Sequence, residues 1–262
     1  MKPIRIYQCE DTTDGILTAV YEAGKSRYGH DFIRLQTLTA ARGESMELFS
    51  EYVVVETDSK KAQKVITAVK EKISQEAYAY IMWAACSKDF DKADAIYHFI
   101  VYGFTLGKQV TSALQIPCVR RVFEMKRRVW MEVHHYEGFI RFQEIKKEPS
   151  VLLSVFEPEN AILPYLASHF ADRLNTENFI IYDKRRHVAA FYSPGRQWFI
   201  HDLTREECEQ LEMAEGQEET FEELWKTFFS SISIAERENK KLQQNNIPLR
   251  YREYMLEFQN NQ

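Results

Sequence analysis

The spacing of the hydrophobic residues changes once along this chain, close to Gly138. From residue 75 to about residue 135 they recur every three to four positions, which is typical of helices. After Gly138, residues 139–145 alternate in part with a period of two, which is typical of a strand. The sequence therefore favours a helical first half followed by a small sheet.

The second half predicts the strands of that sheet. A strand at residues 152–156 follows the first one after a turn, and residues 179–182 and 188–192 form a hairpin. Residues 198–200 suggest another strand. We expect these strands to form an antiparallel sheet.

Helices flank these strands. One is predicted at residues 163–174, and another begins after Thr204, where Glu207 completes a capping box. In the first half, strands are predicted only at residues 4–7 and 52–55.

The fold class that follows is α+β, with a helical N-terminal half packed on a small antiparallel sheet with flanking helices. There is no internal repeat and no linker rich in glycine, proline or serine. We therefore expect one compact domain over residues 1–262, with an internal seam near residue 135. The seam would separate a helical part, 1–135, from an antiparallel sheet with helices, 136–258.

The four cysteines argue against a metal or cofactor held by this chain alone. They are Cys9, Cys86, Cys118 and Cys208, and no two of them have the spacing of metal ligands. Free thiols suit a reducing cytoplasm, and the N-terminus has no apolar signal core. The sequence predicts a cytoplasmic protein with no metal, no cofactor and no membrane partner.

Negative charge is concentrated in residues 206–223. This segment contains nine glutamates and no lysine or arginine, so the rest of the chain has a formal charge of +4 where the whole chain has −5. A solvated helical face explains such a run, and a docking surface for a basic partner is the alternative.

No complete catalytic motif is present. Phosphate-binding loops, the serine elbow, zinc-protease helices and deaminase signatures are all absent from the sequence. The candidates for a general base are two histidines, His134, which is followed by His135 and Glu137, and His169. Structural imidazoles at a helix-to-strand junction are the alternative.

A cluster of charged side chains predicts a phosphate site. Arg141 lies on the predicted strand, and Arg173 shares a helix face with His169. Asp183, Arg185 and Arg186 crowd the hairpin turn. Guanidinium groups bind phosphate or a nucleic-acid backbone, whereas surface salt bridges are the structural alternative.

Two further basic faces adjoin aromatic residues, a pairing that suits contact with single-stranded nucleic acid. They consist of Arg120, Arg121, Lys126, Arg127 and Arg128, and of Arg250, Tyr251 and Arg252.

Six blocks, taken in order and spacing, resemble a known family. The blocks are residues 13–22, 133–142, 164–192, 224–229, 234–239 and 246–251. On them the chain resembles the bacterial proteins described as probable DNA metabolism proteins, a domain of unknown function. That family is encoded beside a putative DNA modification or repair radical S-adenosylmethionine (SAM) protein. It is also found fused to a uracil-DNA glycosylase-type domain.

The resemblance implies DNA and the radical SAM protein as partners, with the chemistry supplied by a separate polypeptide. It also implies a set of polar site positions that overlaps the cluster above. They are His134, Gly138, Arg141, His169, Arg173, Asp183, Arg186, Arg237, Asn239, Arg250 and Tyr251.

Three functions follow from the sequence. The first is an accessory nucleic-acid-binding protein in DNA modification or repair that holds phosphate or a displaced base for a radical SAM enzyme. The second is an enzyme in its own right, acting on a nucleotide or damaged DNA. The third is a protein-interaction scaffold that binds no nucleic acid.

Overall fold

The structure is a computed structural model that describes residues 2–41, 47–145 and 150–214. Its helices and two small sheets confirm the α+β class. The chain divides into two compact units, with the boundary between Met131 and Glu132. The single domain with a seam near residue 135 stays a prediction. Within the described residues, no helix has both the length and the apolar character needed to cross a membrane.

The first unit contains a three-stranded parallel sheet. Its strands are β1 (Ile4–Cys9), β2 (Ile33–Thr37) and β3 (Ser50–Val54), in the order β2-β1-β3. Helix α1 (Thr13–Lys25) connects β1 to β2, and the short helix α2 (Leu38–Ala41) follows β2. The sequence predicted two of these strands but neither β2 nor the parallel sheet that the three form.

Helix α1 begins in a tight turn. The hydroxyl of Thr12 accepts a hydrogen bond from the backbone N–H of Gly15 at 3.0 Å, which caps the helix. A Cβ at Gly15 would lie 2.5 Å from the carbonyl oxygen of Glu10, so the turn requires a glycine at this position.

In the described residues, four α-helices lie between β3 and the strands of the second unit. They are α3 (Ser59–Lys72), α4 (Gln75–Ala85), α5 (Lys92–Leu106) and α6 (Pro117–Phe139). The side chain of Asp58 caps α3 by accepting the backbone N–H groups of Lys60 and Lys61.

The second unit contains a five-stranded sheet. Its strands are β4 (Gln143–Ile145), β5 (Val151–Phe156), β6 (Asn178–Asp183), β7 (Val188–Tyr192) and β8 (Phe199–Asp202), in sequential order. The prediction of an antiparallel sheet is wrong for one pair, because β5 and β6 are parallel. The physical reason is that helix α7 (Leu163–Arg173) lies between these strands and returns the chain to the same end of the sheet.

One face of this sheet packs against helix α8 (Arg205–Ala214). Leu153, Ile180 and Phe191 from the strands share a buried cluster with Cys208 and Leu211 from the helix. The predicted capping box is confirmed. The backbone N–H of Glu207 donates to the hydroxyl of Thr204 at 3.3 Å, and that of Thr204 donates to the Glu207 carboxylate at 2.6 Å.

Helix α6 extends further than the sequence predicted. It continues through Phe139, and the backbone N–H of Ile140 still donates to the carbonyl oxygen of Tyr136 at 2.9 Å. The strand predicted over residues 139–145 is therefore wrong in its first four residues. Arg141 lies in the connection between α6 and β4, not on a strand.

Candidate functional site

The turn between β6 and β7 is built on Asp183, whose side chain is fully buried. One carboxylate oxygen accepts the backbone N–H groups of Arg185 at 3.0 Å and Arg186 at 3.2 Å. The other accepts the Arg186 guanidinium at 3.0 Å. Burial raises the pKa of Asp183, although the ion pair with Arg186 acts in the opposite direction.

Arg186 also fastens this turn to the loop after β5. Its guanidinium donates to the carbonyl oxygens of Pro158 at 3.2 Å and Glu159 at 2.6 Å. These bonds and the ion pair give Arg186 a structural role. Its predicted contact with phosphate stays a prediction, and so does that of Asp183.

Glu132 also forms hydrogen bonds with the loop after β5. The Glu132 carboxylate accepts the backbone N–H of Glu159 at 2.6 Å, and the backbone N–H and side-chain amide of Asn160 at 3.0 and 2.6 Å. Hydrogen bonds from Arg186 and from Glu132 therefore both hold residues 158–160.

A groove of about 420 Å³ lies beside this loop, between the end of α6 and β5. Strand β4 pairs only with Val151–Leu153, so the second half of β5 lies beyond the last pair of β4. Four aromatic side chains line the groove, together with Arg141, Gln143 and Glu157. The aromatic residues are Tyr136, Phe139, Phe142 and Phe156.

These aromatic residues differ in how firmly they are held. Tyr136 packs edge to face on Phe156 at 5.0 Å, and its hydroxyl donates to the carbonyl oxygen of Glu157 at 3.4 Å. Phe142 packs in the same way on Phe170 at 5.0 Å. Phe139 is 72% exposed. An exposed phenyl ring at the edge of a groove leaves a face on which a planar ligand can stack.

Arg141 lies at the same groove. One of its guanidinium nitrogens donates to the carbonyl oxygens of Gly138 and Ile140, each at 3.1 Å, and so closes the end of α6. Its side chain is exposed, and its other guanidinium N–H groups have no partner among the described residues. Arg141 therefore keeps donors for an anionic ligand.

Arg185 lies close to the groove, because its guanidinium is 3.4 Å from the carboxylate of Glu157, which lines it. Arg173, by contrast, is exposed on α7 and contacts no charged group in the part of the chain that the structure describes. Of the predicted cluster, Arg141 lines the groove together with Glu157, Arg185 contacts Glu157, and Asp183 and Arg186 form the turn that contains Arg185.

The two candidate histidines meet at one carboxylate. Nδ1 of His134 lies 3.4 Å from one oxygen of Glu137, and Nδ1 of His169 lies 3.6 Å from the other. Nε2 of His169 is buried and has no hydrogen-bond partner in the described residues. The described residues contain no group of three or more histidine, cysteine, aspartate or glutamate side chains able to hold a metal ion.

Two of the five basic residues in the face predicted on α6 form ion pairs. Arg121 donates to both carboxylate oxygens of Asp91, at 2.7 and 2.8 Å, and Arg128 pairs with Asp89. Arg120 donates to the carbonyl oxygen of Leu114 at 3.1 Å. This face therefore offers less free positive charge than the sequence indicates.

The acidic segment is described only as far as α8. There Glu207 belongs to the capping box, Glu209 pairs with Arg205, and Glu212 pairs with Lys184. Four predicted positions lie outside the described residues. They are Arg237, Asn239, Arg250 and Tyr251.

Sequence reasoning missed Glu157 and the groove. Phe139 and Phe142 lie in the segment where the sequence predicts a strand, and Glu157 lies in a loop with no motif. The sequence signal for a ligand surface was the occurrence of two aromatic residues and an arginine, Phe139, Phe142 and Arg141, in one short segment.

Comparison with known families adds one decisive observation. Residues 90–257 match a family model described as a domain of unknown function, DUF4130. The chain belongs to the DUF4130 family. No curated protein matches the chain. The DUF4130 match includes the groove, the β6–β7 turn and both candidate histidines, whereas β1, β2 and β3 lie outside it.

Proposed function

We propose that this chain is an accessory nucleic-acid-binding protein in DNA modification or repair, acting with a partner radical SAM enzyme. The observation that carries the nucleic-acid part is the groove at the end of α6, where an exposed phenyl ring and an arginine with unused donors adjoin. The radical SAM partner is proposed from the family resemblance alone.

The aromatic residues supply the contact with a base. A base stacked on an aromatic side chain contributes about 1 to 3 kcal/mol to binding and needs no particular sequence. Phe139 is 72% exposed, and Tyr136 and Phe142, which line the same groove, are held by edge-to-face contacts with Phe156 and Phe170. Bases in a duplex are already stacked on each other, so we propose single-stranded or locally opened DNA as the ligand.

Arginine supplies the contact with phosphate. Arg141 uses a single nitrogen for the end of α6 and keeps the rest of its planar group for an oxyanion. Among the described residues, the Arg185 guanidinium has one partner, the exposed carboxylate of Glu157, and such ion pairs contribute about 0 to 1 kcal/mol. A phosphate can therefore displace Glu157 from Arg185 at little cost.

Fluorescence anisotropy with a labelled single-stranded oligonucleotide tests this function. We expect binding that weakens steeply between about 50 and 200 mM salt, because phosphate contacts release counterions. Phe139→Ala and Arg141→Ala should each weaken binding about tenfold or more, since one stacked base or one charged hydrogen bond is lost.

The control is Arg205→Ala, which removes the same charge from an exposed position at the start of α8. It should bind within about twofold of the unchanged protein, as expected for a surface charge that does not line the groove. Equal losses of affinity in Arg141→Ala and Arg205→Ala would mean that only the net charge of the protein matters. No binding at low salt would favour the scaffold function.

A second candidate, an enzyme in its own right, is favoured by the two imidazoles at Glu137. A carboxylate that orients an imidazole is the usual support of a histidine general base. The test is product analysis by mass spectrometry after incubation with single-stranded, duplex and uracil-containing DNA. A product that disappears in His169→Ala while DNA binding persists would support this function, and the absence of any product would exclude it for these substrates.

A further inference from the structure

Glu157 gives the groove a polar feature that stacking and phosphate binding do not use. It lines the groove, and its side chain is 60% exposed. Within the described chain, its carboxylate has one partner, the Arg185 guanidinium at 3.4 Å. The backbone of Glu157 is fixed by Tyr136, whose hydroxyl donates to its carbonyl oxygen.

An ionised carboxylate accepts hydrogen bonds and donates none. A base that pairs with it must therefore present N–H groups next to each other. Guanine presents two such donors on its Watson–Crick edge, the ring N1–H and the 2-amino group. Adenine and cytosine present one amino group beside a ring acceptor, which repels the carboxylate. Thymine presents one N–H between two carbonyl oxygens.

We propose that the groove recognises a guanine base, which stacks on Phe139 while its Watson–Crick edge binds the carboxylate of Glu157. The proposal rests on the nucleic-acid-binding function proposed above and adds a base preference to it. Only an unpaired guanine offers this edge, so the ligand is guanine in single-stranded or opened DNA.

The charged residues next to Glu157 are compatible with guanine replacing Arg185 as the partner of its carboxylate. When guanine takes over the carboxylate, the Arg185 guanidinium loses a long, exposed ion pair and becomes available to the adjacent phosphate. Arg141 lines the same groove and contributes to binding whichever base is present. The affinity from phosphate contacts and the base preference from Glu157 are therefore separable by substitution.

The experiment uses nine-nucleotide oligothymidylates in which only the central base is changed. The full chain is titrated with oligonucleotides that carry thymine, cytosine, adenine, guanine or hypoxanthine at that position. We expect the guanine oligonucleotide to bind about tenfold more tightly than the thymine one, the range that a bidentate base contact supports. Hypoxanthine keeps N1–H and lacks the 2-amino group, so its affinity should be intermediate.

Glu157→Gln removes the preference and keeps the size of the side chain, since a glutamine amide both donates and accepts. The matched control is Glu206→Gln, which removes one negative charge from α8 and should keep the guanine preference. Equal affinity for all five oligonucleotides in the unchanged protein would overturn the guanine proposal and leave the binding function standing. A preference that survives Glu157→Gln would also overturn it. Failure to bind any of them would overturn both.

Discussion

The carboxylate of Asp183 and the guanidinium of Arg186 form an ion pair of 3.0 Å inside the turn between β6 and β7. The carboxylate is fully buried, whereas 27% of the arginine side chain is exposed. Arg186 continues from this pair to two carbonyl oxygens of the loop after β5. The pair therefore fixes the hairpin to the loop that begins with Glu157, one of the residues lining the groove.

Removal of the Asp183 carboxylate should destabilise the protein. Asp183→Ala leaves the Arg186 guanidinium and two backbone N–H groups without their acceptor, so we expect the free energy of unfolding to fall by about 3 kcal/mol. Asp183→Asn should lose less, because its amide oxygen still accepts the backbone groups. Urea denaturation at pH 7 measures both. A loss below about 1 kcal/mol in Asp183→Ala would contradict the structural role of this pair.

The ion pair of Asp91 and Arg121 should appear in the acid titration. Hydrogen bonds from Arg121 hold the pKa of Asp91 below its ordinary value. A lowered pKa in the folded state means that the carboxylate contributes stability above a pH of about 4, which is lost as the pH falls through the folded pKa. Because the pair is partly exposed, this contribution should stay below about 1 kcal/mol.

Carbon-13 NMR of the Asp91 carboxyl group measures this pKa directly. The pKa of Asp91 should rise towards its ordinary value in Arg121→Gln, because the main cause of its lowering, the hydrogen bonds from Arg121, is removed. Arg127→Gln removes the charge of a residue with no acidic partner in the described chain and should leave this pKa nearly unchanged. A pKa that is the same in Arg121→Gln and in the unchanged protein would contradict the assigned cause.

Cys9 should be inert towards alkylation in the folded protein. Its side chain is fully buried, and burial raises the pKa of its thiol to about 12, so almost no thiolate is present at pH 8. Iodoacetamide should therefore modify the partly exposed Cys86 at least about a hundredfold faster. Mass spectrometry of the digested protein gives the rates, and both cysteines should react alike in denaturant. Rapid alkylation of native Cys9 would contradict its position in the core.

The parts of the fold that were predicted correctly are those with a strong local pattern. β7 and the capping box at Thr204 follow from residues adjacent in the sequence. β2 was not predicted from the sequence. It is five residues long, and in the structure its buried positions alternate with exposed or partly exposed ones. The parallel pairing of β5 with β6 follows from helix α7 between them, because a helical crossover returns the chain to the same end of the sheet. The sequence predicted this helix at residues 163–174, but the antiparallel prediction did not take account of it.

The candidate site was predictable only in part. The proximity of Asp183 and Arg186 follows from the turn, but the bonds from Arg186 reach carbonyl oxygens 27 and 28 residues away. Glu157 shows the same limit, since it lines one groove with Arg141 only because α6 ends where it does. The sequence suggested a strand there, because Phe139, Ile140 and Phe142 also suit a strand.

Photo-crosslinking tests the central claim, that DNA binds in the groove at the end of α6. A single-stranded oligonucleotide that carries one 5-iodouracil beside a guanine is irradiated with the full chain, and the attached peptides are identified by mass spectrometry. The account predicts crosslinks at Tyr136, Phe139 or Phe142, and their loss when unlabelled oligonucleotide competes. Crosslinks confined to the basic face of α6 at residues 120–128, or at positions spread over the surface, would contradict it.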